Sequence, residues 1–351
     1  MPGKTGDLFC SSNKWEVTNI MSDKKRKKRI LSGMRPTGKM HLGNYVGALE
    51  NWVALQNSNN YKNYHLIADY HVLTTNTDSA YILDNTLDMI CDWLAVGIDP
   101  EKSPIFRQSQ IKEHSELHLI LSMLVTKARL ERNPTLKEQL KDLNMENMTY
   151  GHLGYPVLQA ADILLYRGEV VPVGEDQAPH VEITREIARK FNKTYGKVFP
   201  VPKTKLTNFA RLPGLDRKKM SKSLGNTILI SDSQEEIEKK MMKAITDPQK
   251  IRLHDPGRPE ICLVYTYHQK FNPDEEEWVK KNCRSGDLGC VECKKKCAAA
   301  INNFLEPFRE KRNYYDQNRN EVLEIIRDGE KRACKVAEET MEMVHDQMKL
   351  G

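Results

Sequence analysis

Ile30-Leu31-Ser32-Gly33-Met34-Arg35-Pro36-Thr37-Gly38-Lys39-Met40-His41-Leu42-Gly43-Asn44 is the stretch that decides the fold. Residues 29–31 read as an apolar strand end. Gly33, Pro36 and Gly38 then mark a turn. Beyond it Tyr45, Leu49, Trp52 and Val53 recur at i, i+4, i+7 and i+8, the spacing of one helix face. The same alternation continues along the chain. Residues 64–68 read as a strand, 82–95 as a helix, 104–106 and 170–173 as strands, and 177–191 as a helix with Val181, Thr184, Ala188 and Phe191 on one face. Such alternation predicts a Rossmann-type α/β domain, a parallel sheet covered by helices, with ligands beyond the carboxyl ends of its strands. After about residue 230 the strand patterns stop. Ser233 and Glu236 have capping-box spacing before a helix expected to end near residue 246. Long helical patterns follow from about 293 to 348, with interruptions expected at Pro307 and Gly329.

Composition narrows the class of protein. The 351 residues are 39% hydrophobic and 29% charged, as in a water-soluble chain with a sizeable core, and length suggests two domains or, equally, one large α/β domain with an appendage. No apolar run approaches the roughly 18 residues that span a bilayer, and no secretory leader is recognisable. A membrane protein, a secreted disulfide scaffold and a disordered chain are thereby excluded. Net charge is +6, and Lys24-Lys25-Arg26-Lys27-Lys28-Arg29 supplies six positives by itself. The rest of the chain is neutral, so overall basicity is no argument for nucleic-acid binding. Residues 1–29 read as a flexible basic extension, either a solvated tail or a weak nucleic-acid or targeting contact.

Two segments carry phosphate chemistry. In the opening stretch, glycines allow close backbone approach and a helix start presents free N–H groups, with His41 and Asn44 as further donors. Far along the chain, Lys219-Met220-Ser221-Lys222-Ser223 sits in a Gly/Asn-rich loop. Two lysines bracketed by serines suit a mobile clip on a triphosphate, of most use as pyrophosphate departs. Tyr155, Gln159 and Asp162, at i, i+4 and i+7, share one helix face. Asp162 accepts hydrogen bonds without donating, which matches a donor-only group. Cys262, Cys283, Cys290 and Cys293 are four clustered thiols, enough for one metal site, while Cys297 is either a substitute ligand or core.

In order, these motifs resemble the class I aminoacyl-tRNA synthetases. Residues 30–38, Gln108-Ser109 with Glu113-His114, residues 155–162 and Val173-Gly174-Glu175-Asp176-Gln177 resemble the bacterial-type tryptophanyl-tRNA synthetases. The likeness runs from about residue 30 to the C-terminus. It implies a Rossmann-type catalytic domain over 30–228, including the Lys-Met-Ser-Lys-Ser loop, and an all-helical tRNA-binding domain over 229–351. It implies activation of L-tryptophan by ATP with Mg2+, transfer to tRNA(Trp), a homodimer and a cytoplasmic location. Catalysis would fall to Lys219, Lys222, His41 and Asn44. ATP would meet Arg35, Thr37, Gly43, Asn44, Gly174, Asp176, Met220, Ser221 and Lys222. Tryptophan would meet Leu31, His71, Tyr155, Gln159, Asp162, Val171, Val173 and Gln177, with His71 equally readable as core. Tyrosyl enzymes carry a tyrosine where Leu31 stands, and an apolar residue there favours tryptophan. A subset of the tryptophanyl enzymes resembles the cysteine-bearing stretch and holds a [4Fe–4S] cluster; zinc is the alternative occupant. Tyrosine specificity and a catalytically silent tRNA-binding paralogue are the competing readings.

Overall fold

The computed structural model describes residues 26–136, 148–174, 178–206 and 212–350. Asp176, Gln177 and the first 25 residues lie outside the described residues.

Five parallel strands form one sheet in the order β3-β2-β1-β4-β5. They are β1 (Lys28–Met34), β2 (Tyr61–Ile67), β3 (Ile105–Arg107), β4 (Val170–Val173) and β5 (Lys203–Leu206). Side chains alternate between two cores because successive strand residues point to opposite faces. Tyr64, Leu66 and Phe106 enter one core, with helices Glu113–Ser122, Tyr150–Leu165 and Ala178–Thr194. Ile67 and Ile105 enter the other, with helices Ile82–Ala95 and Cys290–Gln317. Strand order reverses between β1 and β4, and the crevice beyond their carboxyl ends is the place such a sheet offers a ligand.

The strand reading misplaces several ends and misses one strand: β1 opens at Lys28 and runs three residues further, to Met34, β2 opens at Tyr61, three residues before the expected start, and β5 was not anticipated. The capping box forms as read, with Ser233 Oγ accepting from Glu236 N–H at 3.2 Å and Ser233 N–H donating to Glu236 Oε2 at 2.8 Å. Its helix is shorter than expected and spans Gln234–Met242. The expected interruptions at Pro307 and Gly329 are corrected. Both residues lie inside helices, Cys290–Gln317 and Arg319–Met348, and the break falls at Asn318. Asn318 caps the first of these with its backbone N–H and its side-chain amide, both donating to the Tyr314 carbonyl at 3.1 and 2.7 Å. Pro307 is tolerated because neighbouring Phe304 and Phe308 pack on Tyr45, with ring centroids 5.3 and 5.5 Å away. Gly329 lets the last helix touch the sheet backbone, since a Cβ there would lie 1.9 Å from the Ile105 carbonyl oxygen. Ala333, Val336, Ala337, Met341 and Val344 of that helix join the core beneath β2 and β3. Among the described residues no helix is long and apolar enough to cross a membrane.

Candidate active site

The β1–β4 crevice opens into a cavity of about 310 Å³. Leu31, Val171 and Val173 form apolar walls, and His71, Tyr155, Gln159 and Asp162 supply polar groups; Arg35 stands exposed at its edge. Seven of the eight residues read as a tryptophan pocket therefore line one cavity, and the eighth, Gln177, lies outside the described residues. Ser32, Trp52, Leu66 and Thr74 also line it and were not foreseen.

Asp162 is 3% exposed and accepts three hydrogen bonds. His71 Nε2 lies 2.8 Å from Oδ2; Gln108 Nε2 and His114 Nδ1 each lie 2.7 Å from Oδ1. Burial alone pushes its pKa up, but the His114 and His71 hydrogen bonds outweigh that and bring it down to about 2. The group is thus an ionised carboxylate, and three of its roughly four acceptor positions are filled. The donors come from the end of β3 and from helices Asp69–Leu73 and Glu113–Ser122. Asp69 ties those ends together by accepting from Ser109 N–H at 2.9 Å and from the Ser109 hydroxyl. Behind the cavity, Tyr155 Oη is 2.8 Å from His180 Nε2, whose Nδ1 lies 3.0 Å from Asn133 Nδ2.

The phosphate-chemistry residues converge on the neighbouring turn. His41 caps helix Leu42–Asn44 reciprocally: its Nδ1 accepts from Asn44 N–H at 3.2 Å, and its own N–H donates to Asn44 Oδ1 at 3.1 Å. A nitrogen that accepts carries no proton, so His41 holds its proton on Nε2. Lys222, from the distant loop, donates to the carbonyls of Thr37 and Lys39. An antiparallel bridge between His41 and Leu229 anchors the loop's trailing end, through Leu42 N–H to Ile228 O and Ile230 N–H to Met40 O, both 2.9 Å. Met220 is buried against Gly43, where a Cβ would lie 2.8 Å from its sulfur. Asn226, buried and not foreseen, shapes the loop from inside. It accepts from Ser221 N–H at 2.8 Å and donates to Asp216 Oδ1 at 2.7 Å and to the Lys219 carbonyl at 3.1 Å. Lys219 and Thr37 are exposed, and Gly174 is exposed just beyond β4.

A match to the family described as tRNA synthetases class I (W and Y) extends over residues 23–306. The chain belongs to that family. A tryptophan–tRNA ligase of Thermotoga maritima is 50% identical, over 92% of this chain and 99% of its own length. The Aquifex aeolicus enzyme of the same name is 43% identical, over 92% and 100%. The tryptophanyl-tRNA synthetase of Campylobacter jejuni, solved with ADP and tryptophan, superposes with a TM-score of 0.84 at 34% identity, covering 92% of this chain and all of that one.

In this synthetase the four clustered cysteines lie apart from the cavity. Cys262 precedes helix Leu263–Phe271, Cys283 is on helix Glu276–Ser285, and Cys290 and Cys293 form the first turn of Cys290–Gln317. They lie near enough to influence one another electrostatically, although no three of their sulfurs come within 4.8 Å of one another. Burial, then negative charge on Cys262, Cys283 and Cys290, pushes the Cys293 thiol up to about 12. A cation would relieve that, and thiols are the donors zinc and iron–sulfur clusters select. Gly257 makes room, since a Cβ there would sit 2.5 Å from Cys283 Sγ. Cys297 is fully buried in the core, its sulfur 3.9 Å from the Val264 carbonyl oxygen. Of the following lysines, Lys294 donates to the Met242 carbonyl at 2.9 Å and Lys296 pairs with Glu275 at 3.3 Å.

Burial first, and the Lys222 charge second, push the His41 pKa down to about 4. Protonating Nδ1 displaces the Asn44 N–H. The cap's contribution is therefore complete above the ordinary histidine value of ~6.5 and is lost as pH falls toward 4. Imidazole 15N shifts should show His41 neutral, with its proton on Nε2, down to about pH 5. A ring titrating near 6.5, or carrying its proton on Nδ1, contradicts this geometry.

Proposed function

We propose that this synthetase is a tryptophan–tRNA ligase. The observation that carries the reading is Asp162, an ionised, acceptor-only group with one position unfilled, set in a cavity walled by Leu31, Val171 and Val173. An indole N–H is donor-only, and one acceptor satisfies it completely. A phenol there would donate to Asp162 and leave its oxygen without a donor, because His71, Gln108 and His114 are committed to the carboxylate. An unpartnered buried acceptor costs about 1–3 kcal/mol. Tyr155 and Gln159 hold the substrate ammonium, and Gln177 adds to the same pocket.

The carboxylate of tryptophan attacks the α-phosphorus of Mg-ATP, forming tryptophanyl-adenylate and releasing pyrophosphate. The aminoacyl group then passes to the 3′-terminal ribose of tRNA(Trp). Protein side chains contribute position and charge. His41 Nε2–H and the Asn44 amide donate to phosphate oxygens, Gly43 allows their approach, and Gly174 and Asp176 meet the ribose. Arg35 adds a guanidinium at the cavity edge. Lys222 exchanges the Thr37 and Lys39 carbonyls for phosphate oxygens, and with Lys219, Met220 and Ser221 it steadies the departing pyrophosphate. The enzyme works as a cytoplasmic homodimer, with residues 30–228 as catalytic domain and 229–351 as the tRNA-facing helical domain. Lys28 and Arg29 open β1 and Arg26 pairs with Glu169 at 3.0 Å, so the expected flexible extension does not reach residues 26–29.

Amino-acid-dependent ATP–pyrophosphate exchange, run with all twenty amino acids, tests the reading. Exchange should depend on tryptophan and exceed that with tyrosine at least a hundredfold. Exchange driven by tyrosine, or by no amino acid, overturns it.

Cys262, Cys283, Cys290 and Cys293 hold a [4Fe–4S] cluster in the same proposal. Such a cluster would supply a cationic core that offsets the charge of four thiolates, and would tie the helices that carry them together. Protein prepared without oxygen should be brown, with about four iron and four acid-labile sulfide per chain. Replacing Cys290 by Ser should abolish the colour. Colourless protein with one zinc per chain replaces the cluster by zinc, and metal-free protein with four titratable thiols removes the site.

A further inference from the structure

The turn that carries His41 is fastened from below by one carboxylate. Asp92 lies on helix Ile82–Ala95, fully buried. Its Oδ2 accepts from the Met40 N–H at 2.6 Å, and its Oδ1 accepts from Arg312 Nε–H at 2.8 Å. Arg312 is 3% exposed and belongs to helix Cys290–Gln317, whose first turn holds Cys290 and Cys293. One side chain therefore touches both the nucleotide turn and a helix that begins at the cysteine site.

The surrounding charges hold this arrangement in one geometry. Asp88, one turn before Asp92, accepts from Arg319 at 2.9 Å and lies 3.5 Å from Arg312. Asp316 pairs with Arg319 at 2.6 Å and lies 3.6 Å from Arg312. Removing one partner of a buried pair leaves the other charge without compensation, so the pair behaves as a unit. On its other side Met40 accepts from Ile230, and its neighbour Lys39 accepts from Lys222 at 3.1 Å. A shift of Met40 would thus move His41, Asn44 and the Lys222 anchor together.

We propose that Asp92 and Arg312 are positioning residues, and that through their ion pair the helix Cys290–Gln317 sets the position of residues 37–44 for phosphate displacement. Neither residue lines the substrate cavity. Their effect falls on the rate of activation and on ATP, and tryptophan binding is spared. This rests on the activation reading above, and a readout independent of activity separates the two.

The test is a double-mutant cycle in the full chain with Asp92→Asn, Arg312→Met and the double variant. Arg312→Met should slow tryptophan-dependent exchange about 10- to 100-fold, as small misplacements of reacting groups do. Tryptophan affinity should stay within about twofold, the double variant should be no slower than the worse single one, and Arg312→Lys should recover part of the rate. Hydrogen exchange of the Met40 amide should quicken in Arg312→Met while amides of β1 and β2 stay protected. That outcome is readable even if the wild-type chain activates no amino acid, in which case the activation reading fails and the mechanical link stands. Unchanged rates and an unchanged Met40 amide overturn the proposal. So do rate, tryptophan affinity and melting temperature falling in parallel, the mark of a merely structural pair. If Arg312→Met does not fold, Asp92→Asn, which removes the ion pair from the other side, with wild-type rate and wild-type Met40 protection is equally fatal.

Discussion

A carboxylate buried away from water is tolerated only where hydrogen bonds replace its hydration, and Asp162 is such a group. Its three donors, His71, Gln108 and His114, stand on segments far apart in the chain. Satisfying one charge therefore fixes the ends of β2 and β3, helix Glu113–Ser122 and helix Tyr150–Leu165 relative to one another. The cavity is the space left between them at the point where strand order reverses. Its specificity follows from the same arithmetic of lone pairs, because His71, Gln108 and His114 already donate to Asp162.

The nucleotide side is built differently. Three separate segments are joined by backbone bonds, by Lys222 to two carbonyls and by the Asp92 carboxylate: the turn at 37–44, the loop and its trailing end at 219–230 and the helix carrying Asp92. His41 and Asn44 cap each other, so their donors are already oriented. Asn226 does for the loop what the cap does for the turn. Preorganised donors suit a displacement at phosphorus, where charge grows on oxygens and the protein forms no bond of its own.

Much of this was legible in the residues. The strand–turn–helix at 30–44, the helix Ile82–Ala95 and the strand Val170–Val173 follow from periodicity, and i, i+4, i+7 spacing puts Tyr155, Gln159 and Asp162 on one face. The tertiary partners were not legible. Nothing local marks Gln108 or His114 as donors to Asp162, His180 as the partner of Tyr155, or Asn226 as the frame of the lysine loop. Pro307 and Gly329 misled for a physical reason. Local propensity counts each as a helix breaker, but Phe304 and Phe308 compensate the lost bond at one, and at the other only a glycine allows a helix to meet the Ile105 backbone. β5 is a four-residue strand with Lys at two positions, and no periodicity marks it.

The account turns on Asp162 reading an indole N–H, and one comparison tests that directly. Binding of tryptophan is measured beside an analogue whose ring carries sulfur in place of the N–H, with shape and apolar area nearly unchanged. If Asp162 accepts that hydrogen bond, the analogue loses the interaction and leaves a buried acceptor unmet, and should bind weaker by about 1.5–3 kcal/mol, or roughly 10- to 150-fold. Equal affinity for the two, within about twofold, would contradict the account.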